Sequence, residues 1–273
     1  MSNFSSSGKG SVLYIPHGGG PLPLLADNNH KVLVEFLKTV SSTLDKPDAV
    51  VIISAHWEEK QPTILSGAHP PLFYDYYGFP SEAYNIQYPA PGFPALADEI
   101  QDTLSSAGFP IAMDSKRGFD HGMFVPMKLM YPAADIPCVQ ISLLSSLDPQ
   151  NHIALGKALS FLLRRNILII GSGFSFHNLR AFFSDGGDLN AANDEFQDWL
   201  IDSCTNPKID NEEKEDRLIH WSAASHARSI HPREEHLLPL HVCFGMAKSV
   251  GFQPEIMFNK PILGKRTISI LWR

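Results

Sequence analysis

Short runs of β-branched and other apolar residues alternate with helical patterns along most of the chain, and turn residues follow each run. Runs that are apolar at nearly every position are typical of strands buried on both faces of a sheet. Such runs occupy residues 12–15, 49–54, 138–143, 167–170 and 267–271. Helical patterns occupy residues 28–44, 94–107, 149–165, 191–204 and 238–250. The alternation predicts an α/β fold, a three-layer αβα single domain around a largely parallel or mixed sheet.

Composition narrows the class of protein. The 273 residues carry 22 Lys and Arg against 29 Asp and Glu, so no basic surface for nucleic acid or for an anionic membrane is expected. No apolar run approaches the roughly 20 residues of a membrane span. The three cysteines are far apart and outside any CxxC pair, which favours buried free thiols in a reducing compartment. We therefore expect a cytoplasmic protein that binds neither nucleic acid nor membrane.

Three stretches do not fit the alternation. Residues 1–10 are rich in Ser and Gly and are expected to form a flexible N-terminal tail, which leaves residues 11–273 as one domain. Residues 206–217 are dense in charge and are predicted to be a solvated loop or helix end. Residues 70–94 hold six prolines, five tyrosines and three phenylalanines, and we call them the aromatic loop. A long ordered loop of this kind is expected to form a pocket wall or lid.

Histidine is the residue type that best indicates chemistry, with twelve copies in the chain. His17 and His56 each follow a predicted strand directly, and His177 comes shortly after a third. In open α/β sheets ligands bind beyond the carboxyl ends of the strands, so these side chains are expected in one crevice. Imidazole is the commonest protein ligand for Fe, Zn and Cu. The pattern therefore favours a metal site over hydrogen-bonded structural histidines.

Two further histidines are candidates for the same crevice. His236 stands just ahead of the predicted helix 238–250, where it suits a third metal ligand or a base that Glu235 orients. Glu235 is itself a possible ligand. His121 lies in a glycine-flanked turn from which it could reach the pocket, whereas His241 falls among apolar helix positions and is predicted to be a core histidine. The others are expected at the surface or in local hydrogen bonds: His30, His69, His152, His220, His226 and His231.

Two short motifs support an alternative hypothesis. The sequence from His17 to Gly20 matches the HGGG oxyanion-hole motif of esterases, and residues 173–177 begin like the G-x-S-x-G nucleophile elbow around Ser175. The elbow ends in His177 instead of the glycine that permits its tight, strained turn. A serine hydrolase that uses Ser175 is therefore the second candidate.

A series of motifs resembles a known family. In chain order they are His17-Gly-Gly-Gly-Pro-Leu-Pro, Ser54-Ala-His-Trp, Tyr88-Pro-Ala-Pro-Gly, Gly118-Phe-Asp-His-Gly, Gly171-Ser-Gly with His177-Asn-Leu, and Glu235-His-Leu-Leu-Pro-Leu. Together they resemble the LigB-type class III extradiol dioxygenases, nearest to the DOPA extradiol dioxygenase branch, from about residue 12 to the last strand. The resemblance implies a LigB-like catalytic domain in residues 11–273 that opens a small catecholic, DOPA-like ring beside its two hydroxyls with O₂.

The resemblance also implies roles for individual residues. His17, His56 and His236 match the ligands of a non-haem Fe(II). His177 matches the acid–base histidine, which in some metal-bound forms lies close to or on the metal, and His121 matches a second pocket histidine. The wider superfamily has a carboxylate as third ligand, where this chain has His236. A neutral third ligand makes the site more positive, which suits Zn(II) as well as Fe(II).

A third hypothesis is a non-enzymatic metal-binding scaffold of the same fold. Proteins of that kind generally do not keep every pocket histidine, and this chain has all five. Their presence favours the enzyme. Whether His177 is a ligand or only an acid–base group stays open at this stage, as do the catechol, the position of cleavage, the physiological metal and the oligomeric state.

Overall fold

One mixed sheet of eight strands forms the centre of the protein. The computed structural model describes residues 9–182 and 188–273, and the strand order is β4-β3-β5-β2-β6-β1-β8-β7. The strands are β1 (Ser11–Pro16), β2 (Ala49–Glu59), β3 (Thr63–Leu65), β4 (Ala112–Asp114), β5 (Cys138–Leu144), β6 (Ile167–Gly173), β7 (Pro254–Ile262) and β8 (Lys265–Trp272). Helices lie on both sides of the sheet. The predicted α/β fold with a mixed sheet is confirmed.

The register of the central strands brings their carboxyl ends to one edge. The strands β5, β2, β6 and β1 are all parallel, with Ser54 of β2 opposite Ser172 of β6 and with Pro16 of β1 opposite Gly173. The outer strands pair antiparallel to this centre, β8 with β1 and β3 with β5. Residues that follow β1 and β6 therefore meet beside β2.

Of the helices in the described residues, five lie close to the predicted positions and four lie where no helix was predicted. The helices are α1 (Lys31–Val40), α2 (Pro94–Ser106), α3 (His121–Met130), α4 (Pro149–Leu159), α5 (Leu179–Phe182), α6 (Asp188–Thr205), α7 (Asn211–Ile219), α8 (Ala227–Ile230) and α9 (Leu238–Val250). Short 3-10 turns extend α1 at both ends and α4 at its carboxyl end, so the predicted ranges 28–44 and 149–165 are each divided. Gly251 ends α9 in the left-handed conformation, with φ 71°.

The structure corrects the sequence-based interpretation in three places. Strand β2 continues to Glu59 through a shift in its register with β5, so His56 lies within the strand and not beyond its end. His121 is the first residue of α3, not part of a turn. Within the charged stretch 206–217, helix α7 begins after Asp210, whose side chain accepts a hydrogen bond from the Glu213 N–H. Strands β3, β4 and β7 were not predicted, because β3 and β4 have three residues each and most residues of β7 are not buried.

Two other predictions concern the core and the chain's beginning. Cys138, Cys204 and Cys243 are buried free thiols, as expected. Residues 1–8 of the predicted tail 1–10 lie outside the described residues, and the Gly10 N–H donates a hydrogen bond to the Leu163 carbonyl. Among the described residues, no helix has the length and apolar character that crossing a membrane requires.

Candidate metal centre

Five histidines from five segments meet at the carboxyl edge of the central strands. His17 follows β1, His56 lies in β2, His121 begins α3, His177 lies between β6 and α5, and His236 precedes α9. The ring centroids of contacting pairs lie 3.4 Å apart for His177 and His236, and 5.3 Å apart for His17 and His236. The structure thus brings together every histidine that the sequence assigned to the crevice.

Three of these rings form a set of converging donors. His17, His56 and His236 each offer one ring nitrogen, and the three nitrogens lie within 4.8 Å of one another. The Nε2 atoms of His17 and His56 are 3.0 Å apart. Two nitrogens that bind one ion at about 2.1 Å lie roughly 3–3.4 Å from each other, so this spacing fits a shared metal ion. Three imidazoles suit ions such as Fe(II) and Zn(II).

Ser172 determines which ring nitrogen of His17 carries the proton. The Ser172 hydroxyl donates to the Gly122 carbonyl, so it accepts the hydrogen bond from Nδ1–H of His17, at 3.1 Å. The lone pair of His17 is then on Nε2, which faces His56. A side chain at Gly173 would collide with the backbone oxygen of His236, which explains the glycine after Ser172.

Glu235 holds two of the rings. Its Oε1 lies 2.9 Å from Nδ1 of His236 and 3.0 Å from Nδ1 of His177. An ionised carboxylate only accepts hydrogen bonds, so both rings present N–H to Glu235 and leave Nε2 for other partners. The sequence predicted either a ligand or an orienting group at Glu235, and the geometry matches an orienting group.

Asp75 lies beside the other two rings, those of His121 and His56. Its Oδ1 accepts hydrogen bonds from the backbone N–H of His121 at 3.0 Å and from Nδ1 of His121 at 2.8 Å. Its Oδ2 lies 3.6 Å from Nδ1 of His56. Sequence reasoning missed Asp75, although a single acid between Tyr74 and Tyr76 in a predicted pocket wall was an available signal.

Burial controls the protonation of these groups. It lowers the pKa of His17 well below 6.5, and the neighbouring histidines lower it further; burial likewise comes first for His56 and His236. These rings are therefore neutral near pH 7, with lone pairs available to a metal. Burial raises the pKa of the Asp75 and Glu235 carboxyls, but hydrogen bonds from the adjacent histidines outweigh it, so both pKa values lie below the ordinary range.

Comparison with known proteins places this geometry in a family. The profile described as the catalytic LigB subunit of aromatic ring-opening dioxygenase matches residues 11–266. The chain is 41% identical over 261 residues to dioxygenase tasH of Hapsidospora irregularis, which covers 88% of this chain and 79% of that protein. It is also 41% identical over 242 residues to 4,5-DOPA dioxygenase extradiol of Beta vulgaris, and this match covers 86% of this chain and 86% of that protein. An uncharacterized protein of Escherichia coli K12 has a solved structure that superposes with a TM-score of 0.75 at 27% identity, over 96% of this chain and 98% of that one.

The chain belongs to the LigB family. It is accordingly an extradiol ring-cleaving dioxygenase, which confirms the enzyme class that the motifs predicted. The family is metal-dependent, and the histidine cluster is a group in this LigB chain that could hold the ion. The comparisons favour the enzyme over the non-enzymatic scaffold.

The elements of the predicted serine hydrolase have other partners in this LigB chain. The Gly19 N–H, which an oxyanion hole would need, donates to Nε2 of His30 at 2.9 Å. The Ser175 hydroxyl is buried and accepts a hydrogen bond from the Ile268 N–H at 3.0 Å. Both groups support the fold, so the geometry disfavours the hydrolase.

The aromatic loop lies against the histidines. The Tyr76 ring is 5.8 Å from the His121 ring. The Tyr76 hydroxyl donates to the Ala83 carbonyl and the Tyr74 hydroxyl to the Ile86 carbonyl, both inside the loop. These two hydroxyls are therefore bound within the loop. That the loop forms a pocket wall stays a prediction.

The histidines outside the centre are used differently. His241 is buried in α9, as predicted, with Nε2 2.8 Å from the Leu218 carbonyl. His30, His152 and His231 are also fully buried rather than at the surface. Local hydrogen bonds hold two of them, from His30 to Asp27 and from His152 to the Asp148 carbonyl.

Proposed function

We propose that this LigB protein is a non-haem Fe(II) dioxygenase that opens the ring of a small, DOPA-like catechol with O₂. His17, His56 and His236 would hold the ion, and Zn(II) could occupy the same position. The observation that carries the proposal is the convergence of three neutral imidazole nitrogens. Ser172 fixes the ring of His17 and Glu235 fixes the ring of His236. We also propose that residues 11–273 form one catalytic domain and that the enzyme is cytoplasmic.

The donor set fits a divalent ion that must keep positions open. Three neutral ligands use only part of a coordination sphere and leave the charge of the ion uncompensated, which favours an anionic oxygen donor from the substrate. When bound, such an ion polarises the catechol oxygens and lowers the pKa of their hydroxyls. The remaining steps depend on groups of the protein.

His177 is the proton carrier in this proposal. Its Nδ1 is held by Glu235, so Nε2 is free to take a proton from a substrate hydroxyl and to return it when the ring opens. Its side chain is 17% exposed, which leaves it within reach of a substrate. A general acid–base group of this kind contributes roughly 10²–10⁴ in rate. In the alternative, His177 is a fourth ligand, and metal binding by His177→Ala distinguishes the two roles.

His121 and the aromatic loop position the substrate in this proposal. Asp75 holds the backbone and Nδ1 of His121, which directs Nε2 toward a substrate oxygen or toward O₂. The ring faces of Tyr74 and Tyr76 would stack on the catechol and exclude water. The name of the Beta vulgaris relative makes DOPA the first substrate to test.

The test is anaerobic reconstitution with Fe(II), followed by measurement of O₂ uptake over a panel of catechols. We expect stoichiometric uptake and a yellow ring-opened semialdehyde with at least one catechol. The matched control is the O-methyl ether of the same catechol, which cannot chelate through two ionisable oxygens and should not react. If no catechol supports uptake by the Fe(II)-loaded protein, the proposed function is wrong.

A further inference from the structure

One oxygen atom of Glu235 serves two histidines of different proposed roles. Oε1 accepts from Nδ1 of His236, a candidate ligand, and from Nδ1 of His177, the candidate proton carrier. The two rings stack with centroids 3.4 Å apart and planes inclined by 18°. Because both N–H groups meet at a single atom, a shift of that atom changes the plane of both rings together.

The other oxygen of Glu235 contacts Arg233, which connects it to β2, the strand that carries His56. Oε2 is buried and lies 3.3 Å from the Arg233 guanidinium, with no other polar partner in the described residues. Arg233 in turn donates to both carboxylate oxygens of Glu58 at 2.6 Å. Glu58 is two residues beyond His56 on β2. The Arg233–Glu58 pair therefore joins the segment that carries His236 to the strand that carries His56.

We propose that Glu235 is the positioning residue that keeps Nε2 of both His236 and His177 directed at the metal centre, and that the Arg233–Glu58 pair holds Glu235 in place. The part of this proposal that concerns His177 rests on the proposed function, in which His177 carries a proton. The part that concerns His236 does not depend on that function. A bidentate Arg–carboxylate pair has a defined geometry, which suits it to fix the position of a third group.

The second carboxylate shows how specific this arrangement is. Asp75 uses one oxygen for His121 at 2.8 Å and its other oxygen for His56 at only 3.6 Å. Its two rings are therefore held by separate atoms and with unequal strength. Glu235 instead couples metal binding and proton transfer through one atom, so removing its charge should affect both properties at once.

Glu235→Gln tests the inference, because the amide keeps the size of the side chain and one acceptor oxygen. Its NH₂ group cannot accept from a ring N–H or pair with Arg233. The first readout needs no substrate: competition of apo-protein with a chromophoric chelator for Zn(II) and for Co(II). We expect affinity to fall roughly 10–100-fold, the usual effect of losing a group that orients a metal ligand. The visible bands of bound Co(II) should also change.

The second readout is turnover of Fe(II)-saturated enzyme. We expect kcat to fall at least tenfold while KM changes less than threefold, because substrate still binds but the proton carrier is misaligned. Glu234→Gln is the matched control: Glu234 is the adjacent residue and pairs with Arg228 instead of a histidine. That variant should keep wild-type metal affinity, Co(II) spectrum and kcat.

Arg233→Gln provides a second, milder variant, since this side chain is about half exposed and is not part of the core. It should change affinity and kcat in the same direction by roughly two- to tenfold. Wild-type affinity and wild-type kcat in Glu235→Gln would overturn the inference. If Glu235→Gln fails to fold, wild-type values in Arg233→Gln overturn it instead. If wild-type protein cleaves no catechol, the proposed function fails, while the Zn(II) and Co(II) affinities still decide the role of Glu235.

Discussion

The buried histidines of this protein fall into two groups that differ in what their ring nitrogens contact. His152 lies in the core, donates from Nδ1 to the Asp148 carbonyl and accepts at Nε2 from the Leu144 N–H. His17 is equally buried, but within the described part of the chain only its Nδ1 has an oxygen partner, and its Nε2 faces another imidazole at 3.0 Å. Burial alone therefore does not distinguish a ligand from a core histidine. The partner of the second nitrogen does, because a ring with both nitrogens used by backbone has no lone pair for a metal.

The strongest test of this distinction substitutes histidines of each group and compares the effects on metal binding and on stability. We expect His17→Ala, His56→Ala and His236→Ala each to abolish stoichiometric metal binding while the fold persists, because each removes one of three ligands at the edge of the sheet. His152→Gln should keep full metal content and instead lose stability, by about 1–3 kcal/mol for an unsatisfied buried backbone group. Metal analysis and thermal unfolding of the purified variants measure both effects. Full metal content in any of the three alanine variants would remove that residue from the ligand set.

The next largest effect separates ligand from proton carrier inside the centre. His177→Ala should keep the metal and still bind catechol, because three ligands remain, while kcat falls by roughly 10²-fold or more. Metal content, the catechol charge-transfer band and turnover report the three properties separately. A metal-free His177→Ala protein would make His177 a fourth ligand and not only an acid–base group.

Acid stability tests the burial of His241 in the core group. Burial lowers the pKa of His241 to about 4, against the hydrogen bonds to the carbonyls of Leu218 and Leu237. Below about pH 6.5 the unfolded chain binds a proton at this residue that the folded chain does not bind until about pH 4, so lowering the pH favours unfolding. Between these values His241→Gln should reduce the pH dependence of the unfolding free energy of apo-protein by about 1.4 kcal/mol per pH unit. His226→Gln, at an exposed histidine, is the control; equal slopes in both variants would contradict the assignment.

The smallest effect is expected at a residue that only supports the fold. Ser175→Ala removes the acceptor for the Ile268 N–H, so it should lower stability by about 1–3 kcal/mol. Ring-cleaving activity should stay within about tenfold of wild type, because the proposed reaction needs no serine nucleophile. A loss of activity that matches the ligand variants, together with labelling by a serine-directed phosphonate, would restore the hydrolase hypothesis.

The sequence predicts the central strands and the histidine cluster well, because both depend on local signals. Apolar runs mark buried strands, and in parallel strands the residues beyond them meet at one edge, which places His17 and His177 near each other. The exact end of β2 was not predictable, since its last residues pair with β5 only after a change of register. His56 is nevertheless at the centre, because the shifted segment still reaches the same edge.

Contacts between distant segments limit what sequence reasoning can find. Asp75 is 46 residues from His121, and the Arg233 partner Glu58 is 175 residues away. Neither pairing leaves a periodic or spacing signal in one chain. The same holds for His30 and His152, whose burial depends on where the HGGG turn and the end of β5 lie in the fold.

Crystallography of the Fe(II)-loaded protein tests the central claim most directly. Crystals grown and kept anaerobically would be measured on both sides of the iron absorption edge to give an anomalous difference map. We predict one iron peak within roughly 2.0–2.3 Å of Nε2 of His17, His56 and His236. Ser172 and Glu235 should still be hydrogen-bonded to Nδ1 of His17 and of His236. A peak bonded to the carboxylate of Asp75 or Glu235 instead, or no peak near these three rings, would contradict it.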